Sequence, residues 1–280
     1  MTKDEREAQN SELRTPNSEL RNQEVIPNMF VSPAVFAESR KIAGENLDFV
    51  PVMGIVNHHD AAMDLQARFF ATLKKANSDI NNFIILSPDH FSAGPGISYH
   101  ECAYQTPEGI VEVDKSRASI LEQKFIWKAD SCHVFAKEHG VGALVPFIAR
   151  EFPEAEIVPI FLQIDLNQTQ AYALGELLAE NADDKTFVLI SSDMSHYLDE
   201  KTALFKDKQT LAWLSVNDFI SLSAATNENT DSAGAFAVLQ SFFKKKNREP
   251  RFVELDHGIS TDYGGSDKET TTYITGFYRY

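Results

Sequence analysis

The sequence predicts an α/β fold, a single three-layer sandwich in which a central sheet is covered by helices on both faces. Three observations carry that expectation. From residue 46 onward, short apolar runs alternate with helical patterns. Two of those runs, Phe83-Ile84-Ile85-Leu86 and Phe187-Val188-Leu189-Ile190, are continuous and of the length of a buried strand. No Pro- or Gly-rich linker breaks the chain after residue 46, so it reads as one domain.

The elements follow in order. Strands are expected at Phe49–Val56, Phe83–Ser87, Glu156–Gln163, Phe187–Ser191, Arg251–Leu255 and Thr271–Tyr278. Helices are expected at Asp60–Lys75, Ser116–Gln123, Val141–Glu151, Asn167–Glu180, Thr202–Leu214 and Ser232–Lys246. Between Ser92 and Asp114, mixed apolar and turn residues predict a hairpin or flap. Residues 1–28 differ from the rest. Asn-Ser-Glu-Leu-Arg occurs at 10–14 and again at 17–21, and each copy has a single apolar residue, Leu13 or Leu20, too few for a coiled-coil seam. This segment reads as a disordered tail, or as translated upstream sequence if the native start is Met29, and residues 29–280 read as the folded domain.

Composition narrows the function classes. Of the 280 residues, 43% are hydrophobic and 11% aromatic, enough for a full core. No apolar run approaches the roughly 20 residues that cross a bilayer, and the N-terminus has no apolar signal core, so a cytoplasmic protein is expected. Twenty-six basic against 41 acidic residues leave a net charge of −15, which disfavours nucleic acid. The one basic run, Lys244-Lys245-Lys246, closes a helical pattern and suits the helix dipole. Cys102 and Cys132 are the only cysteines, and both are expected to be reduced.

In an open α/β sheet, ligands bind beyond the carboxyl ends of the strands. There the chain places Asn57-His58-His59-Asp60, Pro88-Asp89-His90 and Ser192-Asp193-Met194-Ser195-His196-Tyr197. Each stretch has a local alternative. His58 and His59 would simply start a helix capped by Asp60, Pro88-Asp89 would form a turn, and Asp193, Ser195 or Asp231-Ser232 would cap helices. Taken together, four of the eight histidines fall behind three apolar strands, which points to metal or acid–base chemistry. Two histidines and a carboxylate are the face used by non-haem Fe(II). Close-spaced cysteines, a Gly-x-Ser-x-Gly elbow and a Walker loop are all lacking.

These blocks resemble the Memo-like family, whose bacterial and archaeal members are called AmmeMemoRadiSam system protein B. The resemblance runs from Gly54–His58 through Ile85–His90, Glu138-His139 with Pro146-Phe147, and Ile190–Tyr197 to Tyr263–Asp267, covering roughly residues 46–280. It implies a central mixed sheet like that of class III extradiol dioxygenases. His58 and His90 match family metal ligands, and aligning through Ala235–Leu239 places Asp231 at a third position that is usually cysteine. His196 matches the family's motif histidine and becomes the acid–base candidate, with Asp193 orienting it or binding beside the metal. His59, Asp89 and His139 are the expected surrounding residues. The implied cofactor is a divalent metal, Fe(II) ahead of Cu or Zn, serving dioxygenase-like redox chemistry. A metal-dependent hydrolase and a non-catalytic peptide- or partner-binding module would use the same cleft. AMMECR-like and radical SAM proteins are the partners implied by family association. The first loop departs from the family pattern, with Asn57-His58-His59-Asp60-Ala61 in place of Pro-His-Ala-Gly-Tyr, and Gly142 and Leu144 replace polar residues.

Overall fold

A computed structural model describes residues 24–27 and 29–280. Its strands are β1 (Val25–Ile26), β2 (Met53–Val56), β3 (Asn82–Pro88), β4 (Ile97–Tyr99), β5 (Ala103–Thr106), β6 (Gly109–Val111), β7 (Ile126–Lys128), β8 (Glu156–Leu162), β9 (Thr186–Ser191), β10 (Arg251–Ile259) and β11 (Thr272–Arg279). Its helices are α1 (Pro33–Glu38), α2 (Met63–Ala76), α3 (Lys115–Ala118), α4 (His139–Gly142), α5 (Val145–Glu151), α6 (Gln168–Asn181), α7 (Glu200–Ser215), α8 (Phe219–Ser223) and α9 (Ala233–Lys246).

Eight strands form the central sheet in the order β10-β11-β2-β9-β3-β8-β4-β7. The middle four, β2, β9, β3 and β8, are mutually parallel. β11 joins β2 antiparallel and β4 joins β8 antiparallel, so the sheet is mixed, as expected. All seven residues of β3 are buried, because a parallel strand at the centre is covered on both faces. The crossover from β2 to β3 through α2 moves one way across the sheet, and that from β8 to β9 through α6 moves back. With right-handed crossovers, those helices lie on opposite faces. Phe70 of α2 stacks on Phe147 of α5 (ring centroids 6.0 Å apart), and α6 packs on α9. That second pair is close because position 175 is glycine: a Cβ there would lie 2.2 Å from the Val238 carbonyl oxygen.

The six expected strands and six expected helices are all present, with shifted ends. The helix expected over 141–151 divides into α4 and α5, and α7 starts earlier, capped by Asp199, whose carboxylate accepts from Thr202 N–H. β10 runs on to Ile259 and so includes His257. Ser92–Asp114 contains the expected hairpin, β5 with β6, and also β4. Lys244, Lys245 and Lys246 form the last turn of α9.

Two expectations are corrected. The two seven-residue repeats lie outside the described residues, but Val25 and Ile26, placed in the tail, form a strand parallel to β5, with Ile26 buried opposite Tyr104. An apolar pair beside an open strand edge gains both hydrogen bonds and burial. The cysteines are not reduced: Cys102 and Cys132 form a disulfide, with Cα atoms 5.8 Å apart. Thirty residues separate them in sequence, yet β4 and β7 pair in parallel with Tyr99 opposite Lys128, so the segments leaving both strands emerge together. Among the described residues no helix is long and apolar enough to cross a membrane.

Reduction of this bridge, or Cys102→Ser with Cys132→Ser, is expected to lower the unfolding free energy by about 3–4 kcal/mol, the loop-closure value for a loop of this length. Urea denaturation with and without reductant measures it. A change below about 1 kcal/mol would contradict a formed bridge.

Candidate metal centre

The centre is built where three neighbouring parallel strands end. β2, β9 and β3 stop at Val56, Ser191 and Pro88, and the second residue past each end is His58, Asp193 and His90. The chain between α8 and α9 closes over them, with Asp231 N–H donating to the Asp193 carbonyl at 3.3 Å. Sequence-distant residues therefore meet because their strands are adjacent and co-directional.

Three imidazoles point their Nε2 atoms at one carboxylate oxygen. Asp231 Oδ2 lies 3.1 Å from His58 Nε2, 3.4 Å from His90 Nε2 and 4.0 Å from His196 Nε2. In each ring the other nitrogen is committed. His58 Nδ1 contacts Ser191 Oγ at 2.8 Å, and since that hydroxyl donates to the Gly140 carbonyl, it accepts from His58. His90 Nδ1–H donates to Glu138 Oε1 at 2.7 Å, and His196 Nδ1–H to the Met194 carbonyl at 2.7 Å. A proton fixed on Nδ1 leaves the Nε2 lone pair free, the tautomer a metal-binding imidazole needs.

Asp231 is held on its other side. Oδ1 accepts from Ser192 Oγ and Ser232 Oγ, each at 3.1 Å. Oδ2 and His58 Nε2 are both buried and, although 3.1 Å apart, are not aligned as a hydrogen bond, so neither has a partner. Leaving two such atoms unsatisfied is costly. A divalent cation between them would satisfy both, so the residues present fit a metal. Asp193 serves the same centre: Oδ1 accepts from His58 N–H at 3.0 Å, and Oδ2 stands 3.8 Å from His58 Nε2 and 4.0 Å from His196 Nε2.

The electrostatics call for positive charge. Burial opposes an imidazolium at His58, but Asp193 and Asp231 outweigh it and raise its pKa above the usual value. For His90, burial is likewise overcome, by Asp231 and Glu138, which push it up to about 10. Asp231 is driven well below the carboxylate range: burial would raise it, but His58 and His90 beside it prevail. In the absence of metal, protons supply the missing charge, and a cation would displace them.

The expected surroundings separate into two groups. His139 does join the cluster, stacked on the His90 ring at 4.1 Å, and burial with the neighbouring imidazoles lowers its pKa to about 4. His59 and Asp89 serve the backbone instead. His59 caps the turn Asp60–Ala62, its Nδ1 accepting from Ala61 N–H, in the role considered for Asp60. The Asp89 carboxylate accepts from Ala93 and Gly94 N–H at 2.9 Å each. Asp231 does not cap α9, which begins after Ser232 without a side-chain cap. Sequence reasoning noted Glu138 but gave it no role. It is buried, it receives His90 Nδ1–H and His90 N–H, and its hydrogen bonds to His90 carry its pKa down against burial. Ser191, which fixes His58, was also missed, though it sits on the strand end already singled out.

Comparison with known proteins identifies the family. The family model described as "Memo-like protein" matches residues 50–277. A MEMO1 family protein of Pyrobaculum aerophilum is 29% identical over 70% of this chain and 72% of its own length. Another, from Thermoplasma acidophilum, is 30% identical over 71% of this chain and 74% of its own. The crystal structure of an uncharacterized protein from Escherichia coli K12 shares the fold, with a TM-score of 0.53 at 10% identity over 80% of this chain and 98% of that one. With the family model matching residues 50–277, nearly the whole central sheet and every strand-end ligand candidate, the chain belongs to the Memo-like family.

Proposed function

We propose that this centre holds a single divalent metal through His58, His90 and Asp231, with Fe(II) preferred, and supports dioxygenase-like redox chemistry. The observation that carries the reading is the buried, unpartnered pair His58 Nε2 and Asp231 Oδ2, faced by two further imidazoles with fixed protons. A two-histidine, one-carboxylate face is the ligand type of non-haem iron oxygenases, and iron bound in this way supplies redox chemistry with coordination positions left for substrate. Cu or Zn would suit the imidazoles but gain less from a hard carboxylate.

The chain's own residues take the remaining tasks. His196 holds one proton on Nδ1 against the Met194 carbonyl and is available at Nε2 to take or give another beside the substrate. Asp193 pins the His58 backbone and turns its second oxygen toward His196 Nε2, 4.0 Å away. His139, kept neutral and 34% exposed, forms part of the open side of the centre. Glu138 orients His90 and makes it a better donor.

Metal analysis of protein purified anaerobically tests the ligands. Wild type is expected to hold about one Fe(II) per chain, and Asp231→Asn and His90→Ala to lose most of it, since a neutral amide is a poor ligand for a hard cation. Full occupancy in Asp231→Asn would remove Asp231 from the centre. Metal-dependent hydrolysis without O₂ uptake would select the hydrolase reading. Partner binding retained in His58→Ala with His90→Ala would select the binding module.

His196→Ala is expected to keep metal content near wild type while turnover falls about 10²–10⁴-fold. Collapse of metal content would instead make His196 a ligand. Glu138→Gln keeps the shape but weakens the acceptor behind His90, so metal affinity should fall about 10–100-fold in a chelator competition. Unchanged affinity would leave Glu138 a purely structural group.

A further inference from the structure

The buried stripe of α7 consists of Ala203, Asp207, Thr210 and Leu214. A carboxylate with no exposed surface on a core-facing stripe is costly to bury, and here nothing in the metal reading uses it. Both of its oxygens are occupied. Oδ1 accepts from Ser195 Oγ at 2.9 Å and from Thr272 Oγ1 at 2.7 Å. Oδ2 faces His257 Nε2 at 2.8 Å, and the His257 side chain, on β10, is 31% exposed. Asp207 raises the His257 pKa against burial, so the carboxylate has an imidazolium partner over a wider pH range.

The contacts at Oδ1 act on the loop that carries the proton-handling group. Ser195 N–H donates to Thr272 Oγ1 at 2.9 Å, Met194 N–H to the Thr272 carbonyl at 2.9 Å, and Thr272 N–H to the Ser195 carbonyl at 3.0 Å. Residue 195 is thereby tied by both side chain and backbone, between Asp193 on one side and His196 on the other. The three residues Ser195, Asp207 and His257 are not a nucleophile triad. The carboxylate stands between hydroxyl and imidazole, and the hydroxyl is fully buried.

We propose that Asp207, backed by His257, is a positioning residue for His196: by holding Ser195 and Thr272 it sets the 193–197 loop so that His196 Nε2 faces the Asp231 carboxylate. The inference rests on the reading of His196 as the proton-handling group.

Imidazole NMR on the full chain, stripped of metal by chelation, tests it through the His196 Nδ1–H that the Met194 carbonyl protects. In Asp207→Ala this proton is expected to exchange with water at least about tenfold faster than in wild type, because the loop opens locally. The ring signals of His58 and His90, held by Ser191 and Glu138, should stay in place. Asp207→Asn keeps an acceptor for Ser195 and Thr272 and should restore slow exchange. Unchanged exchange in Asp207→Ala would overturn the proposal, and so would equal disturbance of His58 and His90, which would indicate general loosening of the core. Should Asp207→Ala fail to fold, Ser195→Ala with Thr272→Val cuts the same Oδ1 contacts, leaves the His257 pair intact, and is read by the same outcomes. Wild type that takes up no Fe(II) on reconstitution would sink the metal reading, while this exchange comparison would still decide the role of Asp207.

Discussion

The Asp231 carboxylate, buried among three imidazoles, is the constraint around which the rest of the centre is arranged. An isolated buried carboxylate is unstable unless charge or donors surround it. Ser192 and Ser232 satisfy one oxygen, and the other is left for whatever positive charge the imidazoles or a cation supply. Each histidine then needs a second acceptor of its own, which accounts for Ser191, Glu138 and the Met194 carbonyl. The sheet provides all of this in one place only because β2, β9 and β3 are adjacent and run in the same direction.

Such a polar cluster demands a rigid frame, since imidazoles that drift by an ångström lose their common focus. The frame is apolar and tightly packed on both faces of the sheet. Phe69 stacks on Phe277 at 4.5 Å above position 54, where a Cβ would come within 2.4 Å of the Phe69 ring. Further out, the disulfide ties the segment after β4 to the turn after β7, and the Glu24 carboxylate accepts from Cys132 N–H there. Stiffness is thus layered, with polar anchors at the strand ends and aromatic packing beneath them.

Legibility in the sequence followed burial. Strands covered on both faces, such as β3 and β9, announce themselves as unbroken apolar runs, and the polar residues just beyond them stand out by contrast. Three-residue edge strands such as β7, with one buried and one exposed residue, carry too little pattern to find. The short helices α1 and α8 fail for the same reason. Roles that depend on distant segments stayed hidden: Glu138 lies 48 residues from His90, and Asp207 lies 50 from His257. His59 and Asp89 adjoin the cluster in sequence, but local backbone demand claims both side chains. Asp207 did leave a readable trace, an acidic residue on an otherwise inward-facing stripe.

The direction of β11 has a practical consequence. Thr272, at its start, touches the loop of His196, and the strand then runs antiparallel to β2 and away from the centre, with Tyr278 opposite Met53 at the far end of that strand. At about 3.4 Å per residue, its eight residues carry the chain roughly 25 Å from the cluster of His58, His90 and Asp231 before Tyr280. A surface or resin gripping the chain at Tyr280 would hold the molecule with its cluster of histidines turned outward. Attachment at Tyr280 therefore leaves the histidine cluster facing solution.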